Sequence, residues 1–241
     1  MPSTLKAIGA YSFYNCTGLS KITIPESVEE IYTSPFYGCK GLTEINYNAI
    51  QLTKNSSYVG YMFYNAGIDT EGCTVNFGKN VIEVPYGIFG QARTNIIKVN
   101  FEANSNLQVI KDWAFANISG LTEITIPDTV EKILRGAFEN TSIKTIIIPD
   151  SVTYIDGDEV FRDCKLLESA TIGSGLTKIP RLTFYCCDNL TEVTFKDTDN
   201  WYKKDIDNIS LLKENDRINV TDSQANAELL KEGNYYLLQK Q

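Results

Sequence analysis

A chain of 241 residues that is 43% hydrophobic has ample material for a core, yet no apolar run in it approaches the roughly 18 to 20 residues needed to cross a bilayer. A net charge of -8 and a pI near 4.7 speak against a phosphate-neutralising surface, which needs clustered Lys and Arg, so nucleic acid is not an expected partner. Histidine is absent altogether, which removes Ser-His-Asp and Cys-His catalysis, His-ligated zinc and the commonest general base near neutral pH.

The apolar residues follow one stencil. The chain opens inside its first copy, Leu5, Ile8, Phe13, Cys16, Leu19, Ile22 and Ile24, closed by Pro25. The second follows after 23 residues as Val28, Ile31, Phe36, Cys39, Leu42, Ile45 and Tyr47. The third is irregular: Tyr58, Phe63 and Ala66 keep the stencil and Val75 and Phe77 resume it, so residues 49–57 and 68–73 are expected to bulge as loops. Val81, Val84, Phe89, Ala92, Val99 and Phe101 form the fourth, one residue over length. The fifth, LQVIKDWAFANISGLTEITIP over residues 107–127, is the cleanest, with Leu107, Ile110, Phe115, Ile118, Leu121, Ile124 and Ile126. Val130, Ile133, Phe138, Thr141, Ile143, Ile146 and Ile148 make the sixth, one residue short. The seventh is Val152, Ile155, Phe161, Cys164, Leu167, Ala170 and Ile172, and the eighth is Leu176, Ile179, Phe184, Cys187, Leu190, Val193 and Phe195.

Within each copy, Leu-x-x-Ile-x-Ile-Pro ends in period-2 alternation and β-branched residues, so it reads as a short strand that proline closes. Val-x-x-Ile has room for a second short strand, and the Ala-Phe-x-x-Cys stretch for a single helical or 3-10 turn. One such coil cannot bury its own apolar row, but stacked coils can, with equivalent strands pairing in parallel and the Phe row filling the interior.

From Lys196 the stencil fails. The tail holds a strand-like RINV, a helical NAELLK with Thr221 or Asp222 as N-cap, and a strand-like YYLLQ ending. The expected organisation is a solenoid over residues 1–195, truncated at its N-terminus, with residues 196–241 as a C-terminal cap. An uncovered first coil is expected to favour a weak head-to-head dimer.

Four of the six cysteines, Cys16, Cys39, Cys164 and Cys187, share one stencil position that Ala66, Ala92, Ile118 and Thr141 fill elsewhere. Such replacements mark a buried packing site, so free thiols are expected, the alternative being a disulfide between neighbouring coils.

The full motif Leu-x-x-Ile-x-Ile-Pro-x-x-Val-x-x-Ile-Gly-x-x-Ala-Phe-x-x-Cys resembles the BspA-type leucine-rich repeat. IGAYSFYNCTGLSKITIP, IKDWAFANISGLTEITIP and IPRLTFYCCDNLTEVTF carry the resemblance most clearly, and it covers about residues 5–195. It implies a right-handed leucine-rich repeat solenoid, α/β but dominated by β, with about eight repeats. It also implies a surface-exposed or secreted bacterial protein, of a family linked to adhesion to host proteins and other bacteria.

Little is left over for chemistry. Cys186 and Cys187 lack an activating base, and carboxylate pairs such as Asp156 with Asp158 or Asp197 with Asp199 read as solvated loop residues. Asp197, Asp199, Asn200, Asp205, Asp207 and Asn208 gather oxygen ligands without the spacing of a calcium loop, and no phosphate-binding loop occurs, so no cofactor or metal is expected. Four of the Asn-x-Ser/Thr sites, at Asn15, Asn117, Asn140 and Asn189, fall after the Phe row, where the repeat itself generates them.

What remains is surface. Alternation puts Thr23, Asn46, Asn76, Asn100, Thr125, Ile147, Thr171 and Thr194 on the outer face of the strands, beside a row containing Lys21, Glu44, Lys98, Glu123 and Glu192. Tyr14, Tyr37, Tyr64 and Tyr185, each just after a row Phe, form a second candidate surface. The expected function is a non-enzymatic module that binds a protein ligand at a cell surface or outside the cell. The alternative is a glycan-binding or wall-associated module with Trp201, Tyr202, Tyr235 and Tyr236 as its platform.

Overall fold

The computed structural model describes residues 1–52, 61–89, 94–204, 217–232 and 236–239. Its strands are β1 (Ala7–Ile8), β2 (Lys21–Ile24), β3 (Glu30–Ile31), β4 (Glu44–Tyr47), β5 (Cys73–Phe77), β6 (Glu83–Val84), β7 (Ile96–Phe101) and β8 (Val109–Ile110). They continue as β9 (Lys132–Ile133), β10 (Thr145–Ile147), β11 (Tyr154–Ile155), β12 (Ser169–Ile172), β13 (Lys178–Ile179), β14 (Glu192–Phe195) and β15 (Trp201–Lys204), followed by the helix α1 (Ser223–Glu232) and β16 (Tyr236–Gln239).

Two parallel ladders run along the stack, as the stencil requires. The Leu-x-x-Ile-x-Ile segments pair β2-β4-β5-β7 and, further on, β10-β12-β14, with Ile22, Ile45, Val75 and Val99 in one register row and Thr23, Asn46, Asn76 and Asn100 in the next. The Val-x-x-Ile segments pair β1-β3 and β6-β8-β9-β11. Between them lies the Phe column: Phe36, Phe63, Phe89, Phe115, Phe138, Phe161 and Phe184 are fully buried, with ring centroids 5.1 to 6.0 Å apart. The result is a parallel-sheet solenoid of about eight coils with little helix.

The fifth coil departs from expectation. Residues 121–127 have the best strand sequence of the chain, yet they join no ladder, and Ile124 is only partly buried. The cause lies one coil earlier, where the over-long fourth copy pairs Cys73 with Ile96 but Thr74 with Lys98, leaving Ile97 as a bulge. A bulge twists its strand and interrupts pairing. Gly120, at the start of the fifth coil's strand segment, lies so close to the Ile96 carbonyl that an added Cβ would sit 2.4 Å from it. Cys73, expected in a loop, is instead a buried residue of β5.

Among the described residues, no helical or 3-10 turn forms at the Phe stretch either. Seven coils have residues in the left-handed region both two before and two after their Phe: Tyr11 and Asn15, Ser34 and Gly38, Tyr61 and Asn65, Trp113 and Asn117, Gly136 and Asn140, Glu159 and Asp163, Leu182 and Cys186; in the fourth, Gly87 is left-handed and residue 91 lies outside the described residues. Right-handed helix cannot propagate through such positions. Alternate N–H groups divide the work. Those of Tyr11, Phe13 and Asn15 reach the carbonyls of Thr33, Pro35 and Tyr37 in the next coil, while those of Tyr14 and Cys16 close turns onto Tyr11 and Phe13. The same pattern recurs at Trp113, Phe115 and Asn117.

All six thiols are unpaired. At the shared stencil position the S–H finds a backbone acceptor: Cys39 donates to the carbonyl of Phe13 at 3.1 Å, and Cys164 to that of Phe138 at 3.1 Å. Cys16 does not follow its equivalents into the core. It is exposed, because the first coil packs on one side only and even Leu5, Phe13 and Leu19 stay partly buried.

In the tail, Asp222 is the N-cap of α1, accepting from the N–H groups of Gln224 and Ala225 at 3.0 Å. The helix packs on β14, and β16 pairs antiparallel with both β13 and β15. RINV does not form a strand, since Arg217 makes only an isolated bridge to Tyr202. Tyr58, Ala92, Asp205, Asp207, Asn208 and Tyr235 lie outside the described residues.

Candidate docking edge

The turns at Phe13, Phe36 and Phe63 present the next residue outward along one edge of the stack. Because the coils superpose, Tyr14, Tyr37 and Tyr64 stack face to face, with centroids 5.2 and 4.7 Å apart and planes within 16° and 9°. Tyr11 and Tyr61 stand across this stack at 75° and 64° to Tyr14 and Tyr64. Tyr11 is 55% and Tyr14 48% exposed. Burial by its neighbours, then the proximity of Tyr64 and Tyr14, pushes the Tyr37 phenol above its ordinary value. No charged residue occurs in the surrounding turns, residues 10–15, 33–38 and 61–65.

Tyr185 does not belong to this stack. It lies under the guanidinium of Arg162, 5.9 Å from the ring centroid, at the far end of a chain of contacts on the same edge. That chain begins with Tyr86 edge-on to Trp113 at 5.4 Å, and Arg135 covers the Trp113 ring at 5.5 Å. Arg135 then pairs with Glu159 at 3.0 Å, and Glu159 with Arg162 at 2.6 Å. Burial alone would raise the Glu159 carboxyl, but hydrogen bonds and charge from Arg135 and Arg162 outweigh it and hold the group below the usual carboxylate range. Glu139 is pushed the other way by burial and by Glu159, against the hydrogen bond it accepts from Trp113 Nε1 at 3.2 Å. Tyr185 and Arg162 share one offset from their Phe, whereas Trp113 and Arg135 sit at others, so spacing alone does not point to those two.

The charged candidates on the sheet face are not gathered into one site. Lys21 and Glu44 neutralise each other at 2.9 Å, and this hydrogen bond, with one from Asn46, lowers the Glu44 carboxyl. Lys98 stands beside Thr74, Glu192 beside Ser169, and Glu123 lies in the segment outside the ladder. Beside them, Asn100 donates to Asn76 at 2.8 Å and Asn76 to Asn46 at 2.9 Å, an amide row satisfied within the sheet.

Two members of the aromatic platform expected in the tail, Trp201 and Tyr202, are turned inward, while Tyr235 and the side chain of Tyr236 lie outside the described residues. Trp201 is 1% and Tyr202 5% exposed, because Trp201 packs edge-on against Phe195 at 4.9 Å and its Nε1 donates to the Asp197 carbonyl at 2.9 Å. Neither ring can meet a sugar. Among the described residues, no group of three or more His, Cys, Asp or Glu is placed to hold a metal ion, and no helix is long and apolar enough to cross a membrane.

Comparison with known proteins agrees with this architecture. The family described as BspA type Leucine rich repeat region matches residues 1–104 and 83–206. Among solved structures, the leucine-rich repeat protein TpLRR of T. pallidum is similar, at 21% identity over 73% of this chain and 70% of that one, with a TM-score of 0.52. The pneumococcal vaccine antigen PcpA is similar at 22% identity over 83% of this chain, with a TM-score of 0.50, although only 57% of PcpA is covered. No curated protein sequence matches. With the repeat matched over most of its length, the chain belongs to the BspA-type leucine-rich repeat family.

Proposed function

We propose that this chain is a non-enzymatic protein-binding module of a bacterial surface or secreted protein, acting in adhesion to host proteins or other cells. Its docking surface is the turn edge, and residues 196–241 act as the C-terminal cap of the array. The observation that carries the reading is the concentration of exposed and half-buried Tyr, Trp and Arg on that one edge, from Tyr11 to Tyr185, in side chains already held in place by one another. These residue types dominate binding energy at protein interfaces, and pre-ordered side chains lose little freedom on association. The sheet face offers no comparable cluster, because its amides and its Lys21–Glu44 pair already satisfy one another.

Surface plasmon resonance against a panel of extracellular host proteins and whole bacterial cells tests this. Alanine at Tyr14, Tyr37 and Tyr64 together should abolish capture, whereas alanine at Lys98, Glu123 and Glu192 should leave it unchanged. The reverse pattern would move the site to the sheet face.

A further inference from the structure

We propose that the strip formed by Tyr11, Tyr14, Tyr37, Tyr61 and Tyr64 receives a proline-rich partner segment in the polyproline II conformation. This rests on the assignment of the turn edge as the docking surface and names the chemistry of what docks there.

Three observations carry it. The first is neutrality. In a chain with a net charge of -8, the three turns that bear the strip have no charged side chain, so its partner is recognised by apolar contact and hydrogen bonds instead of charge. The second is the hydroxyls. Tyr32 and Tyr154, exposed elsewhere, give theirs to Glu30 and Asp156 at 2.7 and 3.1 Å. Those of the five strip tyrosines have no hydrogen-bond partner among the described residues. A polyproline II segment makes no internal hydrogen bonds, so its carbonyls point outward and accept from such donors. The third is spacing. Steps of 5.2 and 4.7 Å bring Tyr64 within about 10 Å of Tyr14, close to the roughly 9 Å advance of one polyproline II turn of three residues. Prolines three apart therefore meet equivalent rings two coils apart.

The same geometry disfavours sugars. A pyranose packs on an open ring face, but both faces of the central Tyr37 are covered by Tyr14 and Tyr64, so that ring presents its edge and hydroxyl. Both sides of the proposed contact are also ordered beforehand, the strip by stacking and the segment by its fixed φ.

Titration calorimetry with a ten-residue polyproline peptide, a ten-residue glycine-serine peptide and a β-linked hexasaccharide tests the proposal on the full chain. Polyproline alone should bind. Tyr14→Ala with Tyr37→Ala and Tyr64→Ala should weaken it at least roughly tenfold, as expected for central aromatic anchors. Circular dichroism must show that this variant is folded, and Tyr→Phe at the same three positions, which keeps the stack, should give a smaller loss through the hydroxyls alone. No heat with polyproline, equal binding of the glycine-serine peptide, binding of the hexasaccharide only, or unchanged polyproline affinity in both variants would each overturn it. If the alanine variant loses capture of host proteins while polyproline does not bind, the docking edge stands and the polyproline assignment falls. If capture survives in that variant, the docking edge itself is wrong.

Discussion

The thiol of Cys187 donates to the backbone carbonyl of Phe161, 3.0 Å away in the preceding coil. The same carbonyl accepts the N–H of Cys164 at 3.3 Å, so both of its lone pairs are engaged. A small residue with one weak donor suits this position. Ala66 and Ile118 show that the donor is dispensable. Cys187→Ala should therefore cost only about 1 kcal/mol in urea unfolding, the worth of one modest hydrogen bond plus a small void. A loss above about 4 kcal/mol, the scale of a collapsed core site, would contradict that role.

Reactivity should divide the six thiols sharply. Burial pushes the Cys39 thiol up to about 11 and that of Cys73 up to about 12, so neither forms thiolate at pH 8. Native labelling with iodoacetamide should modify Cys16 and Cys186, which reach solvent, and urea without reductant should release all six. Two or fewer in urea would mean that bridges form between coils.

Phe115 is stacked between Phe89 and Phe138 at 6.0 and 5.4 Å and meets Phe77 and Phe101 edge-on. Its truncation to Ala should cost about 3 to 5 kcal/mol. A cost below about 1 kcal/mol would show that the Phe column does not support the fold.

Left-handed backbone at the turns gives opposite expectations for two residues. Asn140→Val should cost roughly 1 to 2 kcal/mol, since a β-branched residue tolerates that conformation poorly. Cys186→Gly should be neutral or slightly stabilising, because Cys186 holds a positive φ where other coils use Asn, Gly or Asp. Thermal melts of both variants decide the matter.

The two carboxylates of the arginine network should respond to pH in opposite senses. Glu159 is depressed in the fold, so its contribution is present above its unfolded value and is lost as pH falls through the folded one. Glu139 is raised, so its contribution is present at low pH and lost as pH rises through the folded value. Glu159→Gln should lower the melting temperature at pH 7 and much less at pH 3. Glu139→Gln, which can still accept from Trp113, should leave it unchanged or higher at pH 7.

Much of this was legible in residue spacing. The offsets from Leu19 to Ile24 and from Leu42 to Tyr47 predict the register pairs Ile22 with Ile45 and Thr23 with Asn46, because stacked coils must align what they bury. The left-handed turns left a trace in the recurrence of Asn15, Asn117 and Asn140 after the Phe row, a preference that follows from the tolerance of Asn for positive φ. The break at residues 121–127 left only an indirect trace, the extra residue of the fourth copy, since it is imposed by the bulge at Ile97 on a segment that would pair by its own propensity. The docking edge was half visible. Spacing aligns Tyr14, Tyr37 and Tyr64 and sets Arg162 beside Tyr185, but offset from Phe alone cannot show that Arg135 covers Trp113 or that Trp201 turns inward.

That break gives the stack a seam. In a linear array each coil holds only its neighbours, so cooperativity is set by the weakest junction. Across the fifth coil the main sheet is interrupted, and the load passes through the β6-β8-β9-β11 ladder, the Phe89–Phe115–Phe138 stack and the turn hydrogen bonds of Trp113, Phe115 and Asn117. A pull along the axis, such as a tethered cell would exert, meets two blocks in series, coils one to four and six to eight. The seam should yield first, lengthening the molecule while both blocks, and the tyrosine strip on the first of them, keep their shape.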